Sequence, residues 1–160
     1  MEAVEVGIIG AGIHGVSAAF HLVRRGVRPR LFERWAPAGG PTGRSSGVCR
    51  AYYTNDFLAR VARESLLMFR DFRDLTNGRD AGHHVTGALF LHGRDEAERV
   101  REAAARMNAI GTRIELLGPD DLERRHPDLA LDGVAVGAWE PTAGYADPVL
   151  TTAGLFERAV

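Results

Sequence analysis

A chain of 160 residues has room for about one domain, able to bury roughly 70% of the surface its unfolded form exposes. Hydrophobic residues make up 45% and charged residues 26%, with 20 basic side chains against 21 acidic ones; this is the composition of a soluble globular protein and excludes a disordered tail, a basic nucleic-acid binder and an acidic solvating segment. Every basic residue is arginine and the one cysteine is Cys49, so a P-loop, Schiff-base chemistry, an intrachain disulfide and a CxxC site are all excluded.

The first predicted element is an apolar, β-branched run from Val4 to Ile9, suited to a buried parallel strand. It leads into Gly10-Ala11-Gly12-Ile13-His14-Gly15, after which Val16, Ala19, Phe20, Leu22 and Val23 recur at helical spacing as far as Gly26. Arg30-Leu31-Phe32 predicts a second strand that delivers Glu33, and the whole unit has the length of a βαβ crossover. This apolar opening does not read as a signal peptide, because it lacks a basic start, carries Glu5 and His14 and is broken by glycines. No later stretch reaches the roughly 18 uninterrupted apolar residues of a membrane span. A cytoplasmic setting, with no membrane and no nucleic-acid partner, is the expectation.

Trp35 to Arg50 is rich in Gly, Pro, Ser and Thr and reads as a long loop of the functional kind. Thr54 or Asn55 can cap a following helix whose Phe57, Leu58, Val61, Leu66, Phe69, Phe72 and Leu75 form one broad stripe, most simply a core face, closed by Asn77-Gly78. His84 to His92 reads as one strand, Asp95 to Ala109 as a helix and Arg113 to Leu117 as another strand. Pro119 opens a short acidic helix, Val134 to Trp139 is a further strand, and Asp147 caps a last helix that still runs at Val160. The adjacent His83 and His84 point to opposite faces of a strand and have no carboxylate at ligand spacing, so no metal is expected.

Chemistry is concentrated in the glycine turn. Gly10 permits a tight exit from the strand, Gly12 lets a diphosphate approach the backbone, and Gly15 lets helix and sheet pack closely. The helix start offers free N–H groups and a positive dipole end. Glu33, at the tip of the second strand, can accept ribose hydroxyls, and its charge disfavours a 2′-phosphate. On these residues alone NAD and FAD both fit.

The pieces GIIGAGIHGVSAAFHLVRRG, LFERW, GRSSGVCRAYY and EPTAGYADP resemble the FAD-dependent amino-acid and amine oxidase family that contains D-amino acid oxidase, sarcosine oxidase, glycine oxidase and dimethylglycine dehydrogenase. The resemblance implies an α/β fold, a Rossmann-like (GxGxxG) FAD-binding βαβ start with part of a second, mixed β/α substrate domain. Residues 1–82 would be the first part of the FAD-binding domain, 83–144 the first part of the substrate domain and 145–160 a helix returning to the FAD side, in a chain shorter than those of the family. The residues implied at the cofactor are Gly10, Gly12, Ile13, His14, Gly15, Glu33, Arg34, Arg44, Ser45, Ser46 and Arg50, the last beside the flavin ring. No general base is assigned; Arg50 is the only candidate for a part in catalysis. The implied reaction oxidises the C–N bond of an amino acid or a secondary or tertiary amine by hydride transfer to flavin N5.

Two departures qualify the carry-over. Tyr53 stands where sarcosine-oxidase-like members have a second arginine for the substrate carboxylate. The loop also lacks the histidine that bonds covalently to flavin in some relatives, so FAD is expected to be held noncovalently. Two alternatives stay open: a noncatalytic or truncated subunit that needs a complementary chain to bind FAD, and a fragment of an NAD-dependent dehydrogenase. A two-stranded parallel start leaves an unpaired edge, so poor stability alone and covering by a complementary chain or a second copy are expected.

Overall fold

The computed structural model describes residues 5–159; the expected strand start at Val4 and the helix end at Val160 lie outside them. The chain divides into two compact units, one built from residues 5–48, 68–84 and 145–159 and the other from 49–67 and 85–144.

In the first unit, β1 (Val6–Ile9) pairs in parallel with β2 (Pro29–Phe32), with Ile8 opposite Leu31 and Ile9 opposite Phe32. The right-handed crossover expected of such a pair is α1 (Ile13–Val23). The turn that closes α1 runs to Gly26, whose φ of +77° favours glycine and whose N–H donates to the carbonyl of Val23. α6 (Pro148–Ala159) packs along α1. Val16 and Phe20 of α1, Phe72, Ala81 and Leu155 form the core here. Gly154 is required at this contact, since a Cβ there would lie 2.8 Å from the Phe72 ring. Asp147 caps α6 as expected, its Oδ1 accepting the N–H groups of Val149 at 2.8 Å and Leu150 at 2.9 Å. Asp147→Ala is therefore expected to cost about 1 kcal/mol, read as a lower denaturant midpoint at unchanged slope.

Beyond the two-residue β3 (Val48–Cys49), the second unit holds an antiparallel sheet in the order β5 (Ala88–Gly93), β7 (Val134–Glu140), β6 (Glu115–Leu117). Alternate residues of β7 serve opposite faces. Val136 and Ala138 join Val100, Ala103, Ala104 and Met107 of α4 (Ala97–Ala109) in one core. Gly137 faces the other way, where Leu122 of α5 (Pro119–Arg125) lies so close that a Cβ on the glycine would be 2.7 Å from it.

Three expectations are corrected. The strand expected over His84 to His92 is two, β4 (His84–Val85) and β5, because Gly87 turns at φ +74° over the Trp139 ring, where a Cβ would sit 2.0 Å from the indole. The helix expected from Asp95 begins as a tight 3-10 turn at Arg94–Glu96 and becomes α-helical at Ala97. The single stripe from Phe57 to Leu75 is broken at Asp71, between α2 (Asp56–Arg70) and α3 (Phe72–Leu75). Its early part is no core face, since Phe57 is 71% exposed and Leu58 and Val61 about half exposed. Asn55 rather than Thr54 caps α2, accepting the Leu58 N–H at 3.0 Å. Among the described residues no helix is long and apolar enough to cross a membrane, and no His, Cys, Asp and Glu cluster could hold a metal ion.

Candidate functional site

The turn between β1 and α1 is held from three sides. Gly10, at φ +98°, donates its N–H to the Phe32 carbonyl at 2.8 Å and so extends the β1–β2 ladder by one rung. The next amide, Ala11 N–H, donates to Glu33 Oε2 at 2.7 Å, while Glu33 Oε1 accepts Trp35 N–H at 2.9 Å. Ile13 N–H donates to Thr42 Oγ1 at 3.1 Å, a cap supplied from 29 residues downstream because Gly12, at the N-cap, has no side chain to offer. The Gly12 and His14 amides find no acceptor among the described residues, and no acid stands in the first turn of α1 to neutralise its positive end.

Close approach explains the glycines. A Cβ on Gly15 would lie 2.0 Å from the Gly10 carbonyl oxygen, and one on Gly12 would lie 2.9 Å from Thr42 Oγ1. The segment after β2 folds back over this turn: Ala38 is buried at φ +61°, donates to the Ala11 carbonyl at 2.9 Å and accepts from Gly43 at 3.0 Å. A 3-10 turn at Thr42–Arg44 then brings Thr42 to the helix start.

These elements enclose a cleft of about 700 Å³ lined by Gly10, Gly12, Glu33, Arg34, Trp35 and Thr42 and floored by apolar strand ends. Ile9 is 93% exposed, with Phe32 and Trp35 more than half exposed. The Arg34 guanidinium stacks on the Trp35 indole at 4.0 Å, placing a cation and a flat aromatic side by side at the rim. The amides of Ala11, then Trp35 and Arg34, together with the Arg34 charge, hold the Glu33 carboxyl below its ordinary range against a smaller opposing effect of desolvation. It is therefore ionised at neutral pH and keeps lone pairs beyond those used by the two amides.

The structure thus gathers Gly10, Gly12, Glu33 and Arg34 around one cleft. Ile13, whose amide meets the cleft-lining Thr42, and His14 follow Gly12 in the chain but do not line it, and Gly15 packs behind the turn against the Gly10 carbonyl. The His14 ring itself is exposed. Arg44, Ser45 and Ser46 are exposed and do not line the cleft. Ser45 Oγ accepts the Gly47 N–H at 3.1 Å, and the Gly47 carbonyl takes the Ala146 N–H at 2.9 Å, which joins the serine loop to the AGYADP segment. Arg50 belongs to the second unit. There its guanidinium lies 4.3 Å from the Tyr53 ring and 5.4 Å from the Phe90 ring, and donates to the Tyr52 carbonyl.

Thr42 and Trp35 were not among the residues singled out from the sequence. The signal for Thr42 was available: a helix that begins on glycine needs a cap from elsewhere, and the Gly-Gly-Pro-Thr-Gly turn carries a hydroxyl.

A glycine turn, an acid at the second strand tip and a helix start that leaves the Gly12 and His14 amides open match an adenine dinucleotide cradle. A family model described as FAD dependent oxidoreductase matches residues 5–160 of the chain. The chain belongs to this family. Its cofactor is FAD, and the open amides and the missing Cβ atoms at the turn fit the close approach of its diphosphate. Among curated relatives, the mitochondrial dimethylglycine dehydrogenase of Rattus norvegicus is 27% identical over 153 residues, covering 94% of this chain and 18% of that protein. The peroxisomal sarcosine oxidase of Mus musculus is 27% identical over 147 residues, covering 89% of this chain and 37% of that protein. Among solved structures, L-proline dehydrogenase from P. horikoshii superposes with a TM-score of 0.84 at 27% identity over 99% of this chain and 42% of that one. The chain therefore spans less than half the length of these two relatives and of this structure.

Proposed function

We propose that the protein is an oxidoreductase that takes electrons from the C–N bond of an amino acid or of a secondary or tertiary amine, with this chain supplying the cradle for the adenosine diphosphate half of FAD. The observation that carries the reading is the helix start: an open amide on the cleft-lining Gly12 and another on His14 in the first turn of α1, with an ionised carboxylate 2.7 Å from the Ala11 amide. In this reading Gly12 and His14 N–H groups donate to the diphosphate, where the positive end of α1 favours its charge. Glu33 accepts from the adjoining ribose, and the Arg34–Trp35 pair flanks the same end. Ser45, Ser46 and Arg44 are assigned, by likeness to the family, to the diphosphate loop, and Arg50 to the ring end.

Bound FAD supplies a two-electron acceptor for substrate oxidation; the chain supplies binding, orientation and charge. A guanidinium beside the ring favours the anionic reduced form. With no histidine in the Arg44–Arg50 segment, the flavin is held noncovalently.

The test is direct. Purified protein mixed with FAD and passed through a sizing column is expected to emerge yellow, and acid precipitation should release all the flavin into the supernatant. Protein that stays colourless with added FAD would overturn the reading. Tight binding of NADH without affinity for FAD would replace it with a nicotinamide one.

A further inference from the structure

Glu140 is the least expected residue in the second unit. It ends β7 on the face shared by Val136 and Ala138 and is 0% exposed. Burying a carboxyl is costly unless its oxygens are used. Here each takes one amide of two consecutive residues: Oε1 accepts Ala51 N–H at 2.7 Å and Oε2 accepts Tyr52 N–H at 2.9 Å. Burial pushes the Glu140 carboxyl up, while the two amides and, after them, the Arg50 charge pull it down.

The two amides belong to the residues immediately after Arg50, and all the described contacts of the Arg50 guanidinium lie close to them. It donates to the Tyr52 carbonyl and lies over the Tyr53 ring at 4.3 Å. Its other aromatic neighbour, Phe90 at 5.4 Å, is stacked on Tyr52 at 4.5 Å and sits on β5 opposite Ala138 of β7. The platform beneath the guanidinium is thus joined to β7 twice, once through the β5–β7 ladder and once through Glu140.

We propose that Glu140 is a positioning residue for Arg50, clamping the Ala51–Tyr52 backbone to β7 so that the guanidinium is presented in one direction. What that direction serves rests on the assignment of Arg50 to the flavin ring; the clamp itself does not. A purely structural staple would change the melting temperature without changing the surroundings of the arginine head group.

The readout is the Arg50 Nε–H signal in 15N–1H spectra of the protein, assigned by its loss in Arg50→Lys. In the wild type, ring currents from Tyr53 and Phe90 shift it away from the exposed arginines. In Glu140→Gln one acceptor oxygen becomes an NH₂ that cannot take an amide, and the signal is expected to move to the exposed-arginine position while the β5–β7–β6 amides stay in place. Glu140→Asp, which keeps the carboxylate but shortens its reach, is expected to give a partial shift and is read if the Gln variant does not fold. An unmoved Arg50 signal in a folded variant overturns the proposal. With FAD loaded, Glu140→Gln is expected to lower the flavin midpoint potential and to have no further effect beside Arg50→Met. If FAD does not load, or the potential ignores Arg50→Met, the ring-side assignment fails and the NMR result still decides the clamp.

Discussion

Gly15→Ala is expected to lower FAD affinity by about a hundredfold, the upper end of the range for losing a hydrogen bond to a charged group, and to destabilise the fold at the same time. The added Cβ would stand 2.0 Å from the Gly10 carbonyl oxygen and 3.3 Å from the Ile8 side chain. The carbonyl cannot simply swing aside, because Gly10 N–H is tied to Phe32 and the following amide to Glu33. The start of α1 must therefore move off the strand, carrying the open Gly12 and His14 amides with it. Overpacking of this kind costs about 1–3 kcal/mol. Gly118→Ala, at a glycine with ordinary φ and nothing within 4 Å of the new Cβ, should leave FAD binding unchanged. Flavin fluorescence titration and thermal melting of both variants decide the matter, and wild-type affinity in Gly15→Ala would remove the turn from the cofactor site.

The part of the fold that carries this turn was legible because its constraints are local. Gly10, Gly12 and Gly15 are needed within six consecutive residues, and strand, helix and acid follow in fixed order, so spacing alone locates Glu33 at the turn. The loop after β2 was legible only as a loop. Its order depends on Ala38 at φ +61° and on Gly43, whose Cβ would lie 2.4 Å from the Ala38 carbonyl oxygen. Neither condition leaves a mark in the pattern of apolar residues. Periodicity also misled along α2, because a stripe reports which residues share a face and not what covers it. Met68, Phe69, Phe72 and Leu75 meet the α1–α6 core, whereas Phe57, Leu58 and Val61 stay exposed.

Thr42 and Glu140 were hidden for a related reason. Both act on backbone amides far away in sequence, Thr42 on Ile13 and Glu140 on Ala51 and Tyr52. A glutamate after the apolar run Val134 to Trp139 reads simply as a strand end, and only the folded ladder shows that it turns inward. Arg50 was legible as a residue type in a glycine-serine setting, but the aromatic platform beneath it comes partly from β5, some forty residues on.

Glu33→Gln is expected to raise the dissociation constant for FAD by about ten- to a hundredfold, the range for loss of a hydrogen bond to a charged group. The substitution is nearly isosteric, yet it replaces an acceptor on both sides by an acceptor on one. Either Ala11 N–H or Trp35 N–H is left facing an NH₂, and the ribose loses its anionic partner. The pH dependence has a definite sign. The folded protein holds the Glu33 carboxyl below the ordinary carboxylate range, chiefly through the Ala11 amide. The ionised form is therefore favoured in the native state, its stabilising effect is fully present above the ordinary carboxylate value, and it is lost as the pH falls through the lowered one. Wild-type protein should accordingly retain FAD at pH 5 and release it on further acidification, whereas Glu33→Gln should bind weakly at both pH values and show less of this acid-side loss. Flavin titrations at a series of pH values below neutrality measure both curves. Equal acid-side loss in the two proteins would mean that another carboxylate controls retention.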